Sequence, residues 1–135
     1  MITGRCECGA VQYAVDGDVT DYSHCHCSIC RRLHGAAFAS WGGVKRAGFR
    51  YISGEDKLKA YPFSPRSDSL FCTTCGSRVL VDFKAEQDML YITLGTVDGD
   101  VKLPTGYHQF AGSKAPWFDI TDGLKQHEGW PPGEG

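Results

Sequence analysis

The chain has 135 residues, of which 41% are hydrophobic and 12% aromatic, with a formal charge of −2 and a pI near 6.2. That length suits one domain with its own core, and the near-neutral balance offers phosphate backbones no general attraction, so nucleic acid is not an expected partner. No apolar run approaches a membrane span and the opening Met1–Cys6 stretch lacks the apolar segment of a secretory signal, so a cytoplasmic, reducing setting is expected, where clustered cysteines bind metal or do redox chemistry.

In chain order, Val11 to Val15 alternates apolar and polar residues and reads as a strand, with Asp16-Gly17-Asp18 as its turn. Ser28 is the expected N-cap of a short helix from about Ile29 to His34, which Gly35 ends. Ala36 to Trp41 reads as a strand stopped by Gly42-Gly43. Phe49 to Ile52 is another, turning at Ser53-Gly54. Leu58 to Phe63 reads as extended and broken by Pro62 and Pro65. Cys72-Thr73-Thr74-Cys75-Gly76 lies between Leu70-Phe71 and Val79-Leu80-Val81, the outline of a zinc-ribbon knuckle, with Gly76 free to take the turn's positive φ. Lys84 to Asp88 reads as a polar hairpin loop, and Met89 to Leu94 as a strong strand. Pro104 to Phe118 reads as irregular and aromatic. The expectation is a mostly β fold with one short helix. A single domain spans residues 1–120, and residues 121–135 form an irregular, poorly ordered tail pinned at most by Trp130.

The seven cysteines fall into three clusters: Cys6 and Cys8; Cys25, Cys27 and Cys30; Cys72 and Cys75. Four thiolates make a closed tetrahedral zinc site and three leave one position open. The two pairs together supply four ligands and the trio three, so the arithmetic gives one closed zinc on Cys6, Cys8, Cys72 and Cys75 and one open zinc on Cys25, Cys27 and Cys30. The closed site would staple two distant segments and so contribute folding energy directly; the alternative is buried, inert thiols. For the trio, a loop is expected to carry Cys25 and Cys27 and the first helical turn Cys30, the helix N-terminus lowering the thiol pKa values. Two other readings stand beside the open metal: His24, His26 or His34 closes the tetrahedron, or Cys27 and Cys30 form a metal-free redox pair. His26, between two ligands, is expected to point away.

Gly4-Arg5-Cys6-Glu7-Cys8-Gly9-Ala10-Val11, Cys25-His26-Cys27-Ser28-Ile29-Cys30-Arg31-Arg32, Phe71-Cys72-Thr73-Thr74-Cys75-Gly76-Ser77 and Ser113-Lys114-Ala115-Pro116-Trp117 together resemble, in order, the motifs of the glutathione-dependent formaldehyde-activating family, which also includes centromere protein V. The resemblance implies a β-tent fold of several small antiparallel sheets. It implies the same division into a structural zinc and a catalytic zinc, hence two zinc ions per chain. It also implies a carbon–sulfur lyase that forms S-(hydroxymethyl)glutathione, with a small thiol such as glutathione and an aldehyde as partners.

On this reading a thiol entering the trio's site ionises and attacks an aldehyde to give a hemithioacetal. Arg31 and Arg32, on the helix after Cys30, hold a substrate carboxylate or form a solvated face; Lys114 has the same two roles open to it. His108 is a proton shuttle or a structural hydrogen-bonding group. Trp41 and Trp117 wall the pocket or pack in the core. The rival functional classes are a non-catalytic two-zinc protein-interaction module and a thiol redox protein using Cys27 and Cys30.

Overall fold

The computed structural model describes residues 1–133. Strand makes up 41% of it and helix 14%, well above the usual share of strand. The elements are β1 (Ile2–Arg5), β2 (Gln12–Val15), β3 (Asp21–Cys25), α1 (Ser28–His34), β4 (Ala39–Lys45), β5 (Phe49–Ser53), β6 (Leu58–Ser64), β7 (Ser67–Cys72), β8 (Arg78–Phe83), β9 (Met89–Thr93), β10 (Tyr107–Gln109) and β11 (Lys125–Gln126). β1, β2 and β5 form a small sheet; the rest form a larger one in the order β11-β10-β3-β4-β9-β8-β7-β6. All pairings are antiparallel except β3–β10 and β10–β11.

Alternation along the strands gives the larger sheet two apolar faces. Val44, Leu80, Leu90 and Ile92 lie on one, and they form the main core with Tyr13 and Val15 of the small sheet. Burying one such aliphatic side chain contributes about 1.5–3 kcal/mol. Ala39, Trp41 and Val81 lie on the other, in a second cluster that takes in Cys25 and is flanked by Cys27, Cys30, Phe63, Phe83, Tyr91 and Phe110. Each cysteine group therefore belongs to a different core: Cys6 and Cys72 are buried in the first, and the trio adjoins the second.

Several local expectations are corrected. Gly42-Gly43 does not stop β4 but lies within it. A Cβ at Gly42 would sit 2.8 Å from Leu94 Cδ2, and one at Gly43 2.9 Å from Asp21 Cβ, so the glycines are there for close packing. The strand also begins at Ala39 rather than Ala36. Pro62 lies inside β6, which is the edge of its sheet, where a missing N–H costs no ladder bond. Within the stretch expected to be irregular, Tyr107–Gln109 forms β10, parallel to β3. The segment expected to be a loose tail is tied to the body: β11 pairs with β10, His127 N–H donates to His108 O at 2.9 Å, and Phe110 N–H donates to Gly129 O at 3.1 Å. Trp130 packs edge-on against Phe110, ring centroids 5.0 Å apart. The last two positions of that expected tail, 134 and 135, lie outside the described residues.

Candidate metal centres

Cys6 and Cys8 flank a tight turn after β1, closed by Gly9 N–H donating to Cys6 O at 3.1 Å with Gly9 at φ 80°. Cys72 ends β7, and Gly76 at φ 82° closes the matching turn by donating to Cys72 O at 2.7 Å. Only glycine takes such a φ without steric cost. Ser77 joins the two turns: its hydroxyl accepts from Glu7 N–H at 3.0 Å and lies 3.2 Å from Cys75 Sγ. That hydroxyl, helped by the backbone amides of Cys8 and Ser77, pulls the Cys75 thiol down to about 5.

The four sulfurs lie within 4.8 Å of one another, with Cys6–Cys8 at 3.6 Å and Cys8–Cys72 at 3.8 Å. Sulfurs about 2.3 Å from the centre of a tetrahedron, the zinc–thiolate distance, are separated by about 3.8 Å. The spacing and the all-thiolate donor set thus fit a four-coordinate metal ion. All seven cysteines are free, as such sites require.

The sulfurs of Cys25, Cys27 and Cys30 form a second group within 4.8 Å of one another. Cys25 is the last residue of β3, not part of a loop. Cys27, rather than Ser28, is the N-cap of α1; its sulfur accepts from Cys30 N–H at 3.3 Å. The sulfur takes over the capping task usually given to a hydroxyl or carboxylate, and this points Cys27 at the helix axis beside Cys30. Hydrogen bonds from Cys25 and Cys30, aided by the Cys30 and Ile29 amides, hold the Cys27 thiol far below its ordinary range. The contact with Cys27 raises the Cys25 thiol to about 12, and the contacts with Cys25 and then Cys27 raise Cys30 as well. Three thiols this close resist ionising together, and a positive ion among them removes that penalty. Gly35 at φ 59° ends the helix as expected.

Among the described residues, no histidine or carboxylate joins this trio within 4.8 Å. His26 turns to the opposite face, as alternation from Cys25 requires, and is fully buried. His24 bonds Tyr22 and Ser40. His34 lies edge-on to Trp41, ring centroids 5.4 Å apart, and burial lowers its pKa.

The other anticipated residues scatter. Arg31 is half-buried, with Nε enclosed and lacking a hydrogen-bond partner; Arg32 is exposed. Lys114 Nζ donates to the carbonyls of Phe118 (2.7 Å) and Ala115 (3.2 Å). Trp41 is buried in the second cluster, whereas Trp117 is 72% exposed and packs in no core. His108 bonds His26 and Asp122.

Two residues escaped sequence reasoning. Phe110, at φ 57°, is the only described non-glycine residue with positive φ. For so bulky a residue this conformation costs about 1–2 kcal/mol. It packs against the cluster that contains the cysteines, and nothing in a local pattern signals it. Asp122 reaches His108 from the C-terminal segment, and an acidic residue in a Gly-rich stretch carries no such message.

The chain matches the family described as "Glutathione-dependent formaldehyde-activating enzyme" over residues 1–113. A Halomonas elongata protein named "Putative glutathione-dependent formaldehyde-activating enzyme" is 23% identical over 127 residues, covering 89% of this chain and 81% of that protein. The crystal structure of a Rhodobacter sphaeroides protein superposes with a TM-score of 0.62 at 26% identity, covering 73% of this chain and 89% of the other.

Proposed function

Because the chain belongs to the glutathione-dependent formaldehyde-activating enzyme family, we propose that it is a zinc-dependent carbon–sulfur lyase acting on thiol–aldehyde adducts, in the manner of an S-(hydroxymethyl)glutathione synthase. Cys6, Cys8, Cys72 and Cys75 hold a structural ion; Cys25, Cys27 and Cys30 hold a catalytic one. The observation that carries the reading is the contrast between the two groups: four sulfurs in one, and in the other three with no histidine or carboxylate beside them. A fourth protein ligand would have favoured a purely structural, partner-binding module.

Cys25, Cys27 and Cys30 would hold a thiophilic ion, for which zinc suits the all-sulfur donor set, and that ion would supply the positive charge that lowers a thiol's pKa towards neutrality. In the overall reaction a carbon–sulfur bond forms between the thiol and the aldehyde carbon, and the thiol proton passes to the carbonyl oxygen. The protein's part is positioning. The cap at Cys27 holds two donors at a helix start, and Cys25 shares a buried apolar cluster with Trp41, against which Phe83 and Phe110 also pack, an apolar setting that strengthens local electrostatics. Arg31, half-buried on α1 directly after Cys30, is the first candidate to hold a carboxylate of a glutathione-like thiol through its terminal guanidinium nitrogens. Arg32 and Lys114 are weaker supports, Arg32 because it is exposed and Lys114 because two of its three donors are engaged. Seven unpaired cysteines suit a reducing compartment, in keeping with a cytoplasmic location.

The test is exchange spectroscopy of glutathione with formaldehyde in the presence of zinc-loaded protein. The parent should accelerate exchange and a folded Cys27→Ser variant should not. Equal rates from the two would remove the trio from the chemistry.

A further inference from the structure

The face of β3 turned away from the thiols carries a buried hydrogen-bonded chain. His26 and His108 are 0% and 1% exposed. His108 Nε2 lies 2.9 Å and 3.1 Å from the two carboxylate oxygens of Asp122, and His108 Nδ1 lies 2.7 Å from His26 Nε2. The carboxylate accepts from His108 Nε2–H. This makes His108 Nδ1 the acceptor for His26 Nε2–H, and the two tautomers follow from the partners. The backbone repeats the link, since His26 N–H donates to Gln109 O at 3.0 Å. Asp122 is itself fixed by accepting Leu124 N–H at 3.0 Å, next to β11.

His26 is covalently flanked by two of the three trio cysteines. A shift of its backbone, which the ring's anchor on His108 and the amide bond to Gln109 O oppose, moves Cys25 and Cys27 together. We propose that Asp122 is a positioning residue: through His108 it holds His26, and with it the spacing of the Cys25 and Cys27 sulfurs for their metal ion. The inference rests on the reading that the trio binds metal. It makes the C-terminal segment, which lies beyond the matched residues 1–113, part of the site's supporting shell.

A rival reading starts from the same residues. Ligand atoms of His24, His108 and Asp122 lie within 4.8 Å of one another, a spacing that metal sites also show. Both ring nitrogens of His24 are taken, by Tyr22 Oη at 3.0 Å and Ser40 Oγ at 2.7 Å, and both of His108 by His26 and Asp122. An ion there would have to break bonds that the buried rings need. The hydrogen-bonded role leaves these ring nitrogens satisfied.

The test uses the full chain loaded with cobalt(II), which reports thiolate ligation by its visible absorption. A Cys27→Ser variant identifies the spectrum of the four-sulfur site alone. The parent should take up two ions. Asp122→Ala should weaken chelator-resistant binding at the trio by about 10-fold, the size of one lost buried hydrogen bond, and shift the trio's absorption, with the four-sulfur site unchanged. Asp122→Asn keeps a carbonyl oxygen for His108 Nε2–H and should restore affinity to within a few-fold. Parent-like binding in Asp122→Ala would overturn the inference. So would an equal loss at both sites, which marks a general folding defect, or the loss of a third ion, which marks the rival site. A parent that binds one ion fails earlier, at the reading of the trio itself, and takes the inference with it.

Discussion

Replacing Cys8 by serine separates a metal staple from four idle thiols. Cys8 is exposed, so trading its sulfur for oxygen removes nothing from the core. An ordinary surface substitution changes stability by about 0.5 kcal/mol or less. If Cys8 instead helps cross-link the first turn to the ribbon turn, its loss frees a loop closed between positions 64 apart. Because the unfolded chain holds no such site, losing the ion costs its binding free energy, about 4 kcal/mol with free ion at ~1,000 times the dissociation constant. For 135 residues the unfolding entropy is about 0.28 kcal/mol/K, so the melting midpoint should fall by about 14 °C. The assay is thermal unfolding of metal-replete parent and variant followed by circular dichroism, with ion content measured on the same samples. A fall of less than about 2 °C, the size of a neutral surface change, would refute the staple.

Other expectations follow from single sites. Gly54 sits at φ 78°, and a Cβ there would overlap the Ala10 carbonyl, so Gly54→Ala should cost about 2–3 kcal/mol in urea unfolding. Burial raises the Tyr13 phenol from 10.0 to about 12. The unfolded chain therefore ionises first, and stability present below pH 10 should drain away between pH 10 and 12, by about 3 kcal/mol. Tyr13→Phe should lose the Thr96 hydrogen bond, 2.7 Å long, yet flatten that alkaline slope; an unchanged slope would assign it elsewhere. Arg31→Met should raise KM for a carboxylate-bearing thiol about 10–100-fold with kcat little changed, and Arg32→Met should do neither. The reverse order in initial-rate kinetics would exchange the two roles.

The grouping of the cysteines was legible in the chain because the ligands of each pair or trio are near neighbours, and a Cys-x-Cys or Cys-x-x-Cys-Gly turn is closed by its own residues. The helix after Cys27 and its stop at Gly35 were legible for the same reason, since caps are local. Gly42-Gly43 misled because a glycine pair looks like a break. Here it lets Leu94 and Asp21 approach β4, a demand made by other strands. Even the capping sulfur was missed for the nearby serine, since which side chain turns inward depends on where the trio converges.

The residue types and spacing along the chain set the two thiol groups, the hairpins and the helix, because their interactions close over a few positions. Only the folded chain decides that each group adjoins a different core, that Tyr107–Gln109 lies parallel to β3, and that Asp122 reaches His108. Those relations pair segments with no shared periodicity, and they arise from burying both faces of one sheet at once.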